Sequence, residues 1–468
     1  AEYMGKMEKK RLNQDQVCIF FFPFVGGGHM IPMIDMATVF ASHGATTVIV
    51  ASPNQSQPFR DSITRAQTLH NLPISIHTLH LPHDLPLKDA GVTALPITDT
   101  SILQDPLKRL LLDQKPHCIV YDTFHRWAAE TIDSTGTLRI AFSGNGCFPK
   151  VVDDKMLQFR PQDTVNSEYE PFVIPNLPHK IELTKSQLPN FKRPRDIMAT
   201  AEGNTLGVLV NSFYEMESSY ADQLRAEIGK KYWLVGPVSL FHREKSGRGK
   251  QSTGDETRLL SWLDQHPANS VLYVSFGSLV RMATWQLEEI AHALESADYP
   301  FVWVVPEGDL QWLPEGYEER MKERGLIIRG WAPQLLILEH SSVGGFMTHC
   351  GWNSTLEGVT AGLPMITWPY SGDQFMNEKL IADVLGIGVK VGSMHWNTWH
   401  PDPRTMVGRQ KVEDAVRRLM SGGEEVEAMR SRAGNLKEKA RQVVEPGGSS
   451  YNDVDSLIEE IKLRCRST

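Results

Sequence analysis

Residues 331–374 read WAPQLLILEHSSVGGFMTHCGWNSTLEGVTAGLPMITWPYSGDQ and hold the most informative pattern of the chain. The run from Ser342 to Thr348 is short, apolar and bounded by Ser and Gly, which predicts a buried parallel strand. Small and polar residues follow it, and a helix is expected from about Asn353 to Ala361. Because the N–H groups at a helix start attract anions, this strand–turn–helix unit predicts a phosphate site.

Polar side chains in this unit suit a bound nucleoside diphosphate. Gly351 lets the backbone approach a phosphate, and His349 can donate a hydrogen bond to it. Asn353 and Ser354 stand at the expected capping positions. Glu357 lies about one turn further on, where a carboxylate can accept from both hydroxyls of a ribose. The alternative interpretation is that Ser354 and Glu357 form only a capping box.

An aromatic side chain precedes a second expected helix start. Pro333 favours the first position of a helix, and the Trp331 indole just before it can stack on a flat base. Such stacking contributes roughly 1–3 kcal/mol by analogy with nucleic-acid binding. The alternative is an ordinary buried tryptophan, one of 11 in the chain.

In length and residue pattern, the stretch from Trp331 to Gln374 closely resembles the signature of plant family 1 UDP-dependent glycosyltransferases. The resemblance implies that Trp331 stacks on uracil, while Ala332 and Gln334 read its edge and the ribose. A UDP-sugar is then the co-substrate, with no cofactor and no metal ion expected. The residues implied to bind this donor are Gly28, Ser278, Trp331, Ala332, Gln334, His349, Gly351, Trp352, Asn353, Ser354, Glu357, Asp373 and Gln374.

The end of the signature bears on the donor sugar. By resemblance, Trp352, Asp373 and Gln374 face the sugar hydroxyls, and a terminal Gln favours glucose where a terminal His favours galactose. UDP-glucose is therefore the expected donor, with UDP-galactose and UDP-glucuronic acid as alternatives. The family also places a Gly-Ser turn, here at Ser278, against the diphosphate.

A second group of candidate residues lies near the N-terminus. The predicted strand Val17–Phe22 is followed by three glycines and His29, and open parallel sheets bind ligands at the carboxyl ends of their strands. A neutral His29 can take a proton from an acceptor hydroxyl. Asp122, after the strand Cys118–Tyr121, can hydrogen-bond the other ring nitrogen. Capping is the alternative for each residue alone, but both match the family's catalytic His and Asp.

Short apolar strands alternate with helical segments along the whole chain, which predicts α/β folding with doubly wound parallel sheets. The resemblance implies the GT-B architecture, in which two Rossmann-like domains face each other across a cleft. The expected strands are 17–22, 46–51, 74–79, 117–121, 139–142, 207–211, 271–275, 301–305, 326–329, 343–347, 363–367 and 388–391.

The predicted domain limits follow composition. An acceptor-binding domain is expected over residues 1–245 and a polar linker over 246–256. A UDP-sugar-binding domain is expected over 257–450. By resemblance, a terminal helix in residues 451–468 packs back on the N-terminal domain.

Composition excludes several classes of protein. A net charge of −8 and the lack of a basic stripe argue against nucleic-acid binding. No apolar run is long enough to span a membrane. The five scattered cysteines suggest reduced thiols, so a cytoplasmic location is expected. A monomer is also expected.

Competing enzyme classes fit the same residues less well. The run Gly26–Ile31 lacks the third Gly of a dinucleotide-binding fingerprint, and Gly249-Lys250 is not part of a P-loop. The Asp-x-Asp pattern of a metal-dependent glycosyltransferase occurs only at Asp453–Asp455, at the start of the terminal helix. A nucleotide-sugar epimerase or a non-catalytic binding module of the same fold remains the serious alternative.

The expected reaction is inverting transfer of glucose to a hydroxyl of a small lipophilic plant metabolite. The stretch from Pro23 to Pro53 resembles members that act on flavonoids, steroids and triterpenoids. Phe124 and Phe148 are the candidate acceptor contacts.

Overall fold

A computed structural model describes residues 16–52, 60, 63–64, 66–68, 70–80, 99–189, 204–241, 256–277, 280, 282–308, 311–397 and 402–466. The described residues divide into two compact units. The first unit is built from parts of residues 1–143, 195–209 and 449–468, and the second from parts of 144–194 and 210–448. Each unit contains a parallel β-sheet.

The first half of the chain forms a seven-stranded sheet and a small two-stranded sheet. Its described strands are β1 (Cys18–Phe22), β2 (Thr46–Ala51), β3 (Ile74–Thr78), β4 (Cys118–Asp122), β5 (Leu138–Ser143), β6 (Phe172–Val173), β7 (Glu182–Leu183), β8 (Val208–Val210) and β9 (Tyr232–Leu234). The large sheet has the order β3-β2-β1-β4-β5-β8-β9. Strands β1 to β5 pair in parallel, in the order of a doubly wound fold.

Helices alternate with these strands because polar turns separate the apolar runs. The described helices of this half are α1 (Gly27–Ser42), α2 (Gln104–Gln114), α3 (Ala128–Asp133), α4 (Cys147–Phe159) and α5 (Tyr214–Ile228). Strand β1 is buried along nearly its whole length, which explains its unbroken apolar sequence. Its carboxyl end leads directly into the loop before α1.

The second half of the chain forms a six-stranded sheet in which every strand pairs in parallel. Its strands are β10 (Val271–Ser275), β11 (Phe301–Val305), β12 (Gly325–Arg329), β13 (Val343–Thr348), β14 (Met365–Thr367) and β15 (Gly388–Lys390). The order is β12-β11-β10-β13-β14-β15, so β10 and β13 lie at the centre. The central strands are fully buried, as parallel sheets covered on both faces require.

The remaining helices surround this sheet or follow it. They are α6 (Glu256–Leu263), α7 (Thr284–Ala297), α8 (Tyr317–Met321), α9 (Gln334–Leu338), α10 (Trp352–Ala361), α11 (Gln374–Lys379), α12 (Arg409–Met420), α13 (Glu424–Val443) and α14 (Ser449–Arg466). Helix α10 matches the helix expected from about Asn353 to Ala361. Short 3₁₀ turns and one π-helical turn (Leu380–Val384) complete the described elements.

The terminal helix α14 belongs to the first unit. The Nδ1 atom of His43, at the end of α1, lies 2.7 Å from Oδ1 of Asp455, and its ring lies 4.3 Å from that of Tyr451. The predicted linker 246–256 lies outside the described residues except for Glu256, the first residue of α6. The domain limits at 245, 257 and 450 stay a prediction.

Two further observations concern membrane-spanning helices and cysteines. None of their helices combines the length and apolarity that crossing a membrane demands. All five cysteines are free thiols.

The centre of the second sheet leaves no room for a side chain at Gly344. A Cβ there would lie 2.2 Å from the backbone oxygen of Asn269. We expect Gly344→Ala to lower the free energy of unfolding by about 1–3 kcal/mol. Gly434→Ala is the control, because a Cβ within helix α13 meets no atom within 4 Å. It should raise stability by about 0.5–1 kcal/mol. Thermal midpoints measure both, and equal midpoints would contradict the packing.

Candidate active site

Helix α10 starts without a side-chain cap among the described residues. Its N-cap is Gly351, with φ −60° and ψ 144°, and the preceding Cys350 adopts a positive φ of 63°. Ser354 and Glu357 therefore lie inside the helix, and the capping-box interpretation is wrong. The N–H groups of this first turn remain suited to an anion.

The imidazole of His349 is packed between two glycines. A Cβ at Gly277 would lie 2.7 Å from its Cε1, and a Cβ at Gly351 would lie 2.4 Å from its Nε2. Burial lowers the pKa of His349 to about 4, so the ring is neutral at pH 7. Its Nδ1 is shielded from solvent and has no hydrogen-bond partner among the described residues. Buried polar atoms are nearly always hydrogen-bonded, so this nitrogen is a candidate contact for a ligand or for a residue outside the described ranges.

A hydrogen-bonded cluster joins the start of α9 to the second turn of α10. Nε2 of Gln334 donates to Oε2 of Glu357 at 2.7 Å and to the Ser354 hydroxyl at 3.2 Å. The Tyr273 hydroxyl donates to Oε1 of Gln334 at 3.2 Å. Glu357 is only 7% exposed, so its carboxylate is held in one position. The structure thus brings together the two residues predicted to bind the ribose.

The residues predicted to hold the base lie directly before α9. Trp331 is half-buried and Ala332 is buried. Pro333 occupies the N-cap of α9, one position earlier than predicted, and the helix begins at Gln334. Stacking of Trp331 on uracil stays a prediction.

The Gln374 side chain uses its amide oxygen within the protein and leaves its NH₂ group available to a ligand. Its Oε1 accepts from the backbone N–H groups of Tyr370 and Ser371, both at 2.9 Å. Its NH₂ group has no partner among the described residues, so it can donate to a ligand.

Asn377 is a site residue that the sequence did not reveal. It is fully buried, and its Nδ2 donates to the Cys350 carbonyl and to Oδ2 of Asp373, each at 2.8 Å. It therefore ties the loop before α10 to the predicted sugar contact. Its spacing of four residues after Asp373 was the available signal, but that spacing is common in helices.

Trp352 is engaged within the protein. Its Nε1 donates to the Asn211 carbonyl at 2.8 Å, and the residue is 4% exposed. The predicted contact of Trp352 with the sugar hydroxyls stays a prediction, which this hydrogen bond disfavours. Ser278 lies outside the described residues.

In the first unit, His29 and Asp122 form the predicted pair. Nδ1 of His29 lies 2.7 Å from Oδ2 of Asp122, and their side chains are 16% and 1% exposed. His29 is the third residue of α1, and Asp122 ends β4. The backbone N–H of Phe124 donates to the other carboxylate oxygen at 2.9 Å. Nearby Gly28 is exposed.

Electrostatics favour an ionised Asp122. Burial by itself raises the pKa of this carboxyl, but the charge and hydrogen bond of His29 and the Phe124 N–H outweigh burial. The pKa of Asp122 therefore lies below its ordinary value. An ionised carboxylate on one ring nitrogen orients His29 and stabilises its protonated form.

Aromatic rings line the His29 imidazole. Phe24 and Phe124 meet it edge-on, with ring centroids 5.4 and 4.9 Å away. Phe124 is 40% exposed, so it can contact a ligand. Phe148, by contrast, is fully buried and packs edge-on against Tyr220 at 4.8 Å. An acceptor contact by Phe148 stays a prediction that this packing does not favour.

His125 is a second buried histidine that the sequence analysis missed. Its Nε2 donates to the Pro23 carbonyl at 2.9 Å, and its Nδ1 accepts from the Thr100 hydroxyl at 2.8 Å. The Trp127 indole N–H donates to the same hydroxyl at 3.1 Å. This network fixes Pro23 in the loop between β1 and α1, the helix that carries His29. Among the described residues, no group of three or more His, Cys, Asp or Glu is placed to hold a metal ion.

Comparisons with known proteins give the family. Residues 227–398 match the family model described as UDP-glucoronosyl and UDP-glucosyl transferase. The chain is 50% identical over 471 residues to abscisate beta-glucosyltransferase from Phaseolus angularis, covering 95% of this chain and 97% of the relative. It is 42% identical over 469 residues to UDP-glucose flavonoid 3-O-glucosyltransferase 7 from Fragaria ananassa, covering 95% and 96%.

A solved structure agrees. The fold matches a Glycyrrhiza uralensis glycosyltransferase complexed with glycyrrhetinic acid 3-O-monoglucuronide, with a TM-score of 0.88, 36% identity and 96% of each chain covered. The chain therefore belongs to the plant family 1 UDP-dependent glycosyltransferases, and the predicted GT-B fold class is confirmed. It is a glycosyltransferase enzyme.

The neutral state of His125 makes stability depend on pH. Burial lowers its pKa to about 4, below its ordinary value of 6.5. Between these values the unfolded chain binds a proton that the folded chain does not, so stability falls as pH falls through this window. From pH 6.5 to 5 the loss is about 1–2 kcal/mol.

His125→Gln removes the titrating ring from this site. We expect a lower thermal midpoint than in the wild type at pH 7.5, because the hydrogen bonds around residue 125 are perturbed. The midpoint should then drop less between pH 7.5 and 5. Parallel pH profiles of the two proteins would contradict this account.

Proposed function

We propose that the chain is an inverting glucosyltransferase that moves glucose from UDP-glucose to a small lipophilic plant metabolite, with His29 as general base. The observation that carries the proposal is the 2.7 Å contact between Nδ1 of His29 and Asp122. A buried carboxylate on Nδ1 leaves Nε2 as the nitrogen that accepts a proton. Catalytic histidines use this arrangement widely.

The proposed reaction is a single displacement. His29 takes the proton of the acceptor hydroxyl while that oxygen attacks the anomeric carbon of glucose, opposite to UDP. The bond from this carbon to the diphosphate breaks, and its electron pair leaves with UDP. The N–H groups at the start of α10 and the His349 imidazole stabilise the charge that grows on the diphosphate.

The donor assignment rests on the second unit. Gln334 holds the Glu357 carboxylate, which is a preset acceptor for the ribose hydroxyls. Gln374 offers an NH₂ group because its oxygen is committed to the backbone. A donor group alone suits any hexose hydroxyl, so the preference for UDP-glucose over UDP-galactose and UDP-glucuronic acid rests on family resemblance and the relatives' names.

Two acceptor classes follow from different observations. The exposed Phe124 ring beside His29 and the flavonoid enzyme named among the relatives support a flat lipophilic alcohol or phenol. The abscisate enzyme, at 50% identity, supports a carboxylate acceptor. A carboxylate is already deprotonated at neutral pH, so glucose transfer to a carboxylate needs no general base.

Product analysis tests the proposal directly. UDP-glucose, UDP-galactose and UDP-glucuronic acid are each incubated with flavonoids, triterpenoids, steroids and abscisate, and products are identified by mass spectrometry. We expect UDP and a glucoside. A product formed from UDP-galactose or UDP-glucuronic acid but not from UDP-glucose would contradict the donor assignment.

His29→Ala separates catalysis from donor binding. For a hydroxyl acceptor we expect kcat to fall roughly 10²–10⁴-fold, because the general base is lost. The Kd for UDP, measured by calorimetry, should stay within twofold. With a carboxylate acceptor the same variant should retain most of its activity. A large loss of UDP affinity would contradict the division of roles.

Glu357→Ala tests the ribose contact. We expect weaker UDP binding, by roughly tenfold or more, because a buried charge-assisted hydrogen bond is lost. The control is 2′,3′-dideoxy-UDP, which lacks both hydroxyls and should bind the wild type and the variant almost equally. If the variant loses as much affinity for the dideoxy compound, Glu357 acts only by supporting the fold.

A further inference from the structure

Glu217 is a buried acid in α5 that no proposed step uses. It is 1% exposed, and its φ of −127° interrupts the helix. Its Oε1 accepts from the Phe148 N–H at 2.7 Å, and its Oε2 accepts from the Cys147 N–H at 3.1 Å and from the Ser212 hydroxyl. Glu217 therefore caps α4 from a different helix. Gly146, the N-cap residue of α4, has no side chain that could do so.

Gly146 lies in close contact with the Trp352 indole and the Glu217 carboxylate. A Cβ at this position would lie 2.2 Å from Cη2 of Trp352 and 2.7 Å from Oε1 of Glu217. Its φ of −73° and ψ of −176° are open to any residue. Lack of space, and not backbone conformation, therefore requires glycine here.

Trp352 connects this contact to the proposed phosphate site. It is the first residue of α10. Its indole is held on one side by the hydrogen bond to the Asn211 carbonyl and approaches Gly146 on the other. Asn211 is the neighbour of Ser212, which donates to Glu217. The carboxylate, the glycine and the indole thus form one continuous buried assembly within the second unit.

We propose that Gly146 and Glu217 are positioning residues that hold the first turn of α10 in place for the diphosphate of the donor. The proposal rests on the proposed function, because it assigns the start of α10 to the donor. A backbone N–H group stabilises an anion only when its direction is fixed, and a displacement of about 1 Å can cost up to ~10²-fold in rate. The Glu217 carboxylate sets the position of Gly146, and Gly146 sets that of the Trp352 ring.

Gly146→Ala tests the steric part of the proposal, with Gly144→Ala as matched control. Both substitutions add one methyl group to the same loop, but at Gly144 the new Cβ meets no atom within 4 Å. We expect Gly146→Ala to weaken UDP binding and to raise KM for UDP-glucose by roughly tenfold. Gly144→Ala should leave both values within twofold of the wild type. Equal values for the two variants would overturn the proposal.

Glu217→Gln tests the carboxylate and remains informative if Gly146→Ala does not fold. An amide cannot accept from both N–H groups and the hydroxyl at once, so α4 should shift. Glu227→Gln is the control on the same helix, because Glu227 also bonds to α4, through Lys155, at the far end. We expect Glu217→Gln to weaken UDP binding severalfold and Glu227→Gln to leave it unchanged. A purely structural role would lower the thermal midpoint of Glu217→Gln without changing its UDP affinity.

A readout without nucleotide separates this inference from the proposed function. Amide hydrogen exchange in the peptide from His349 to Ala361, measured without ligand, should be faster in Gly146→Ala than in Gly144→Ala. If the wild type binds no UDP, the proposed function fails while the exchange data still decide whether Gly146 positions α10. If UDP binds the wild type but neither exchange nor affinity changes in the variants, the positioning role is wrong.

Discussion

Helix α10 begins at a glycine N-cap, which has no side chain that could cap the backbone N–H groups of the first turn. Gly351 occupies the N-cap, and the His349 ring packs against it where a side chain would otherwise lie. Burial keeps that ring neutral at pH 7. An anion at this helix end would therefore meet backbone dipoles and neutral hydrogen-bond donors. Because these groups are already oriented, they need little reorganisation when negative charge develops on the leaving diphosphate. The proposed transfer depends on this arrangement.

Buried hydrogen bonds hold the side chains around that helix before any ligand binds. The bond from Gln334 to Glu357 fixes the carboxylate proposed for the ribose. Asn377 joins the Cys350 carbonyl to Asp373, and the backbone fixes Gln374 through its oxygen. Rigid polar groups lose little conformational entropy on binding. In the first unit, Asp122 and the His125 network restrict His29 in the same way.

Local patterns in the sequence predicted the elements that carry the site. The apolar run ending at Thr348 is β13, and α10 begins one residue before the expected Asn353. Buried parallel strands are apolar along nearly their whole length, so such strands can be recognised in a sequence. The pairing of His29 with Asp122 followed from placing both at the ends of parallel strands. Family resemblance supplied the roles. Packing between distant residues left no such signal. The bond from Trp352 to the Asn211 carbonyl, 141 positions away, and the burial of Phe148 emerge only from the fold.

A crystal structure with bound UDP tests the account most directly. The account predicts uracil stacked on Trp331, ribose hydroxyls on the Glu357 carboxylate and diphosphate oxygens within about 3 Å of the backbone N–H groups at the start of α10. Nucleotide bound elsewhere, with the first turn of α10 facing only solvent, would contradict it.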